Sequence, residues 1–224
     1  MSLIEISNLK KSYMCGDETV EALRGVDIKI ERGEFVTIMG QSGSGKSTLL
    51  SILGGMSHPS EGEVEIAATR LYGLPGEALA DFRARHLGFI FQSFHLIPYL
   101  TARENVMLPL AIAPMKNSEK RRRAGDALAK VGLGAKLDRL PNQLSGGEQE
   151  RVAIARAIVN NPQIILADEP TGNLDSHTSD EVMAFFRELN QSGQTIVMVT
   201  HNPGNSAYSD RNIFLRDGVV VDSL

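Results

Sequence analysis

The chain has 224 residues, 42% of them hydrophobic and 22% charged, with a net charge of −4 at pH 7. That balance suits a globular chain with a large core and excludes a disordered chain or a generally basic nucleic-acid binder. The single cysteine, Cys15, excludes an internal disulfide and fits a reducing compartment, and no apolar run approaches the ~18 residues of a membrane-spanning helix.

In chain order, Leu3-Ile4-Glu5-Ile6 opens a strand, and Met1 to Glu5 lacks the basic and apolar regions of a secretory signal. Val26, Ile28 and Ile30 alternate with charged residues, the pattern of a strand with one wet face. Arg32-Gly33-Glu34 then turns into an apolar strand, Phe35 to Met39. The next residues, Gly40-Gln41-Ser42-Gly43-Ser44-Gly45-Lys46-Ser47-Thr48, fit G-x-x-x-x-G-K-[ST] in full and open a helix predicted over Lys46 to Leu53. Strand, loop and helix supply the context this phosphate-binding pattern requires. Glycines at 40, 43 and 45 let successive backbone N–H groups point into one concavity, and the helix adds its positive end. Lys46 is placed to reach the β- and γ-phosphates of a nucleotide, Ser47 to ligate Mg²⁺, and Thr48 to donate near the α-phosphate.

Val64 and Ile66 alternate as another strand. Glu77 to His86 reads as a short helix, and the apolar strand Leu87 to Phe91 ends at Gln92. From about 95 to 160 the chain turns helical. Asn117-Ser118 is expected to cap a helix whose basic run, Lys120 to Arg123, forms a solvated face opposite Ala127, Leu128 and Val131. Leu144-Ser145-Gly146-Gly147-Glu148 leads into a second helix, about Gly147 to Asn160. By spacing alone this is an N-cap with a flexible lead-in or a second anion site. Ile164 to Ala167 is wholly apolar, as a central parallel strand is, and Asp168-Glu169 follows it. A helix of about 176 to 191 carries Val182, Phe185, Phe186 and Leu189, with Thr178 and Glu181 as an expected capping box. Thr195 to Thr200 is another buried strand, followed by His201, and Asp217-Gly218 suits a hairpin turn.

The expected fold is therefore α/β, a P-loop core with a mostly parallel sheet, an N-terminal antiparallel β subdomain and a helical subdomain inserted at about 93–160, all within one domain, 2–224. Gly40, Gln92, Asp168-Glu169 and His201 each follow an apolar strand. In open α/β sheets ligands bind at such strand ends, so these residues are expected to converge on one nucleotide. Asp168 is assigned to Mg²⁺ and Glu169 to polarising the attacking water.

The combination of GQSGSGKST, LSGGEQERVAIARA, IILADEP, GNLD and the late His201 resembles the ATP-binding-cassette ATPase family over about residues 2 to 222. The resemblance implies a Mg²⁺-dependent ATPase in which two copies pack head to tail around two ATP molecules. The phosphate loop of one copy would then face Ser145, Gly146, Gly147 and Glu148 of the other. It further implies that Asp175 crosses that interface, that His201 contacts the γ-phosphate, that Gln92 touches Mg²⁺ or the attacking water, and that Tyr13 stacks on adenine.

The TGNLD run at 171–175 and the FQSFHLIP run at 91–98 are similar to those of lipoprotein-releasing, macrolide-export and cell-division ATPases. That group works beneath separate integral membrane subunits, which implies a location at the cytoplasmic face of the inner cell membrane and no nucleic-acid partner. The cleft after Gln92, with Phe94, Leu96, Tyr99 and Leu100, would receive a helix of the membrane subunit. Glu148 and Glu150 stand where close relatives carry glutamine, and their charge at a helix start is expected to be tolerated. A regulatory switch using the same ATP-driven closure is the alternative reading. A DNA-acting ATPase is opposed by the absence of a long heptad insertion between Lys46 and Ser145.

Overall fold

The computed structural model describes residues 2–223. Two sheets carry the fold. The first is antiparallel, in the order β2-β1-β4-β5, from β1 (Ser2–Cys15), β2 (Glu18–Glu31), β4 (Glu61–Ile66) and β5 (Thr69–Arg70). The second has the order β10-β9-β3-β8-β7-β6, from β3 (Phe35–Met39), β6 (Leu87–Phe91), β7 (Ile164–Asp168), β8 (Thr195–Thr200), β9 (Arg211–Arg216) and β10 (Val219–Val221). Its pairs are parallel except β9 with β10, where Asp217 and Gly218 turn the hairpin at φ 50° and 78°. Left-handed conformations at both turn positions match the twist of the flanking strands.

The helices are α1 (Lys46–Leu53), α2 (Gly76–His86), α3 (Ala102–Met107), α4 (Asn117–Lys130), α5 (Gly146–Ile158), α6 (Ser176–Gln191) and α7 (Pro203–Ser206). The central parallel strands β3, β6, β7 and β8 are mostly apolar because both of their faces are covered. Ile164 and Leu166 of β7 join Val36, Ile38, Val197, Leu49 and the inner face of the antiparallel sheet in one core. Ile165 and Ala167, one residue out of phase, join Phe35, Ile196, Val106, Leu128, Ile154 and Phe186 in a second core beneath α3 to α6. Period-two alternation thus sends one strand's side chains into two separate cores. Val26, Ile28 and Ile30 are buried as their alternation required.

Both expected helix caps differ. The α4 helix already includes Asn117 and Ser118, and Lys116 occupies the cap position with no side-chain bond. Asn117 is helical itself, so its amide sits one residue too far along to serve as the cap. In α6 the cap is Asp175, whose carboxylate accepts from the Thr178 backbone N–H at 3.0 Å and from Thr178 Oγ1 at 2.6 Å. Thr178 is therefore a donor to the cap, and Glu181 points instead to Arg151 at 3.4 Å. The expected Gly147 to Asn160 helix runs Gly146–Ile158.

Candidate functional site

A cavity of about 710 Å³ opens at the carboxyl ends of the parallel strands. Met39 and Gly40 to Ser42 enter from the end of β3, and Gly45 to Thr48 from the start of α1. Gln92 follows β6, Asp168 and Glu169 close β7, and His201 follows β8. The four strand-end segments singled out in the sequence are thus brought together. Of the nine loop residues, Ser44 does not line this cavity; it is buried, with Oγ lacking a hydrogen-bond partner. Ala22, Pro203 and Met39 line it without any sequence signal that could have placed them there.

The loop's shape depends on Gly45, at φ 103°, where an added Cβ would lie 2.4 Å from the Ala22 carbonyl oxygen. No side chain satisfies either requirement. Gly45 also caps α1 with no side-chain bond, and the first turn of α1 holds no acidic residue. The leading N–H groups of that helix are left for an anion. Lys46 Nζ donates to the carbonyl oxygens of Gly40 at 2.7 Å and Gln41 at 2.8 Å. Burial pushes the Lys46 ammonium below its ordinary pKa, while Glu169 and Asp168 pull it back up.

Ser47 Oγ donates to Asp168 Oδ1 at 3.1 Å. Burial pushes the Asp168 carboxyl up, against the Ser47 hydrogen bond and Lys46. A hydroxyl and a carboxylate side by side form an all-oxygen donor pair, the chemistry Mg²⁺ prefers. Among the described residues no group of three or more His, Cys, Asp or Glu could hold a metal.

Glu169 stands at φ 47°, a left-handed conformation uncommon for a non-glycine residue and worth about 1–3 kcal/mol of strain. Its N–H donates to the Val199 carbonyl at 3.0 Å and its own carbonyl accepts from Gly172 N–H at 3.0 Å. The side chain is locked as well: Oε2 accepts from Thr200 Oγ1 at 2.9 Å and Oε1 lies 2.8 Å from His201 Nδ1. Thr200, in turn, is held by the buried Asn205 amide at 3.3 Å. These two supporting residues were not singled out in the sequence; only Thr200's place at the end of an apolar strand hinted at it. The Gln92 carbonyl accepts from Asn173 Nδ2 at 2.7 Å, tying this segment to the turn after β7.

Six further predicted site residues lie elsewhere. Ser145, Gly146, Gly147 and Glu148 form the start of α5, and Asp175 the start of α6, outside the cavity. Ser145 Oγ accepts from the Glu148 N–H at 3.3 Å, and Glu148 Oε2 accepts from the Ser145 N–H at 3.0 Å, a reciprocal capping box. The Glu148 carboxylate also meets Lys136. Gly147 packs so closely on α6 that an added Cβ would lie 2.3 Å from Thr178 Cγ2. Tyr13 sits on the β1–β2 ribbon opposite Val20, 39% exposed, with Lys11 Nζ 4.8 Å from its ring centre. It does not line the cavity, although Ala22 of the same ribbon does.

The two glutamates that replace glutamine behave oppositely. Glu148 carries its charge at the helix start as expected. Glu150, one turn in, is fully buried, and neither carboxyl oxygen has a hydrogen-bond partner. A charge there is not simply tolerated, because α5 is enclosed on that side by its neighbours.

Comparison with known proteins supplies the family. A model of the ABC transporter family matches residues 23–172. The chain belongs to the ATP-binding-cassette (ABC) transporter family. It is 46% identical over 219 residues to an uncharacterised ABC transporter ATP-binding protein, YvrO, of Bacillus subtilis, covering 98% of this chain and 96% of that one. It is 48% identical over 223 residues to the macrolide export ATP-binding/permease protein MacB 1 of Yersinia pestis, covering 99% of this chain and 34% of that protein. The chain thus spans about a third of the length of the macrolide-export relatives it matches. The ATP-binding cassette MJ0796, in a dimeric post-hydrolysis structure bound to ADP and Pi, superposes with a TM-score of 0.89 at 46% identity, covering 97% of this chain and 96% of the other. The ABC transporter component cbiO1 of Clostridium perfringens superposes at 0.86 with 29% identity, covering 98% and 87%. This ABC chain is accordingly an ATP-hydrolysing cassette, and the expected α/β cassette fold is the one observed.

Proposed function

We propose that the chain is the Mg²⁺-dependent ATPase subunit of an export, lipoprotein-release or force-transmitting transporter, working as a homodimer beneath separate membrane subunits. The observation that carries this reading is the cavity at the strand ends, where Lys46, Ser47, Asp168, Glu169 and His201 face one volume large enough for a nucleotide. Ser47, Asp168 and Gln92 would hold Mg²⁺, which would neutralise charge on the phosphate oxygens. The backbone of Gly40 to Thr48 would cradle the phosphates, with Lys46 turning from the Gly40 and Gln41 carbonyls to the γ-phosphate. Glu169 is the general base: strain, Thr200 and His201 fix its carboxylate at the cavity wall, where it can orient water. His201 would hold the γ-phosphate. Tyr13 would offer its exposed ring to adenine.

The placement of Ser145 to Glu148 and of Asp175 supports a second half-site supplied in trans. Ser145, Gly146 and Asp175 are exposed at helix starts outside the cavity, and the MJ0796 relative is dimeric in its ADP-and-Pi form. Macrolide export by the MacB relatives, and the transporter membership of cbiO1, support membrane subunits as partners and a place at the cytoplasmic membrane face. Among the described residues no helix is long and apolar enough to cross a membrane.

The receiving groove shifts from the sequence expectation. A cavity of about 580 Å³ beside β6 is lined by Met56, Arg83, Phe89, Phe91, Pro109 and Ala157, not by Phe94, Leu96, Tyr99 or Leu100. Tyr99 is the most exposed aromatic of the 91–100 segment, at 78%. A helix from the membrane subunit would lie in this apolar trough. We further take residues 93–160 as the helical lobe of one domain, 2–224.

Glu169→Gln tests the reading. The variant should bind MgATP, accumulate as a dimer on size-exclusion chromatography, and hydrolyse about 10²-fold or more slowly. Unchanged turnover, or a monomer under saturating MgATP, would overturn it.

A further inference from the structure

Glu150 is the fully buried carboxyl that the nucleotide chemistry does not use. It lies on the inner side of α5, one turn after Gly147 and one before Ile154. Neither of its oxygens is hydrogen-bonded. No side chain of the elements packed on α5 bonds it, although Nε of Arg103 on α3 is itself buried without a partner. Arg103 of α3 meets Asp138, Glu104 turns back onto Thr101, and Arg122 and Arg123 of α4 hold Glu119. Glu181 of α6 meets Arg151, β6 carries no titratable side chain, and the exposed His95 ring packs on Phe91. The one charge that acts on Glu150 is Arg156, on its own helix.

Arg156 has another task. Its Nη1 donates to the His95 carbonyl at 2.6 Å and its Nη2 to the Phe94 carbonyl at 2.7 Å. Phe94 and His95 are left-handed, at φ 58° and 46°, two bulky residues in succession where the backbone resists that conformation. They follow Gln92 after one residue, Ser93, next to where the nucleotide cavity and the apolar groove adjoin at Gln92 and Phe91. The guanidinium is therefore a clamp that holds a strained turn in place through two charge-assisted bonds.

We propose that Glu150 is a positioning residue for this turn: as the neutral acid it leaves Arg156 on the carbonyls of Phe94 and His95, and when ionised it draws the guanidinium inward and frees both residues. An ionised carboxylate buried without a partner is costly, and Arg156, the cation whose charge reaches it, relieves it only by leaving its present acceptors. Burial pushes the Glu150 carboxyl up to about 8, against the pull of Arg156. The native state thus holds a proton that the unfolded chain releases near 4.5, so this group's contribution to stability is complete below 4.5 and is lost as pH rises to about 8. The clamp is engaged at neutral pH and released in mild alkali. The proposal does not depend on which partner fills the groove or on nucleotide being bound.

Hydrogen exchange of the whole chain without nucleotide tests it, read on the peptide spanning residues 92–100 and corrected for the intrinsic base-catalysed rate. In the wild type, exchange there should rise about tenfold between about pH 6.5 and about pH 9.5 as local opening becomes easier. Glu150→Gln, which keeps the shape and cannot ionise, should hold the slow rate at both pH values. Glu150→Met, a second neutral residue of similar length, should do the same and serves if the amide disturbs the core. A flat wild-type profile, or a neutral variant that tracks the wild-type rise, would overturn the proposal.

Discussion

The phosphate loop and Ser145 each lead into a helix N-terminus, α1 and α5, and the two ends are built in opposite ways. At α1 the cap is a glycine without a side chain, the first turn has no acid, and a cation is buried behind the loop. Its leading donors are unsatisfied and ask for a ligand. At α5 the cap is Ser145, reciprocally bonded to Glu148, and Glu148 is itself anchored by Lys136. That end is satisfied from within and stands exposed at no great cost. The contrast teaches how a divided site can be kept in parts. In the proposed dimer, the half that would grip the nucleotide is left incomplete by the chain, and the half that would be lent to a partner is finished before it meets anything.

The largest effects should come from removing the one side chain that defines each half. Lys46→Ala should weaken MgATP binding to a single copy by about 10–10²-fold, the worth of a charge-assisted contact to phosphate. Ser145→Ala should leave single-copy affinity unchanged, cost about 1 kcal/mol of stability through the lost cap, and lower turnover about tenfold. Titration calorimetry at dilutions where the protein is monomeric, set beside steady-state hydrolysis, separates the two. If Ser145→Ala loses as much monomer affinity as Lys46→Ala, both halves belong to one chain and the contrast fails.

The convergence at one cavity was largely legible in the residues, because the strand ends announce themselves. Four wholly apolar runs, each stopped by a polar residue, left little freedom about where Gly40, Gln92, Asp168 and His201 would meet. What local sequence could not fix was decided by neighbours far along the chain. Asp175 outcompeted Thr178 as the α6 cap because the helix begins one residue after it. Met56 and Pro109 line the groove in place of Phe94 because the turn after Gln92 is held by Arg156, some sixty residues on. Glu150 reads as a tolerated charge at a helix start because its spacing from Glu148 says nothing about which side of α5 is enclosed. Thr200 and Asn205 support Glu169 through contacts between loops, and no periodicity records those.

Gly147 sharpens the comparison at the next scale of energy. In the signature turn it is read as a backbone donor to phosphate, yet its lack of a side chain also lets α5 and α6 approach, with Thr178 Cγ2 filling the space. Gly147→Ala should therefore destabilise the chain by about 1–3 kcal/mol through overpacking, measured by chemical denaturation without nucleotide. Thr178→Ser, which deletes the offending methyl, should recover most of that loss in the double variant. Gly146, whose added Cβ would meet Leu174 at an ordinary 3.6 Å, should accept alanine with little change. A Gly147→Ala chain as stable as the wild type would leave phosphate contact as the glycine's sole reason.

The smallest effect belongs to Glu148→Gln. Glutamine keeps the capping box, so the variant loses only the pair with Lys136, which is itself 43% exposed. The cost should stay within about 1 kcal/mol and shrink further in high salt. The Lys136 hydrogen bond, followed by the Ser145 backbone N–H, holds the Glu148 carboxyl below its ordinary 4.5. Its stabilisation is thus complete above 4.5 and is lost as pH falls through the lower folded value, so the wild-type and variant melting curves should differ near neutrality and converge in acid. Glu150→Gln should show the reverse, with its largest gain over the wild type on the alkaline side. Two glutamates on one helix would then mark, by opposite pH signs, which side of α5 faces water and a prospective partner and which side faces the core.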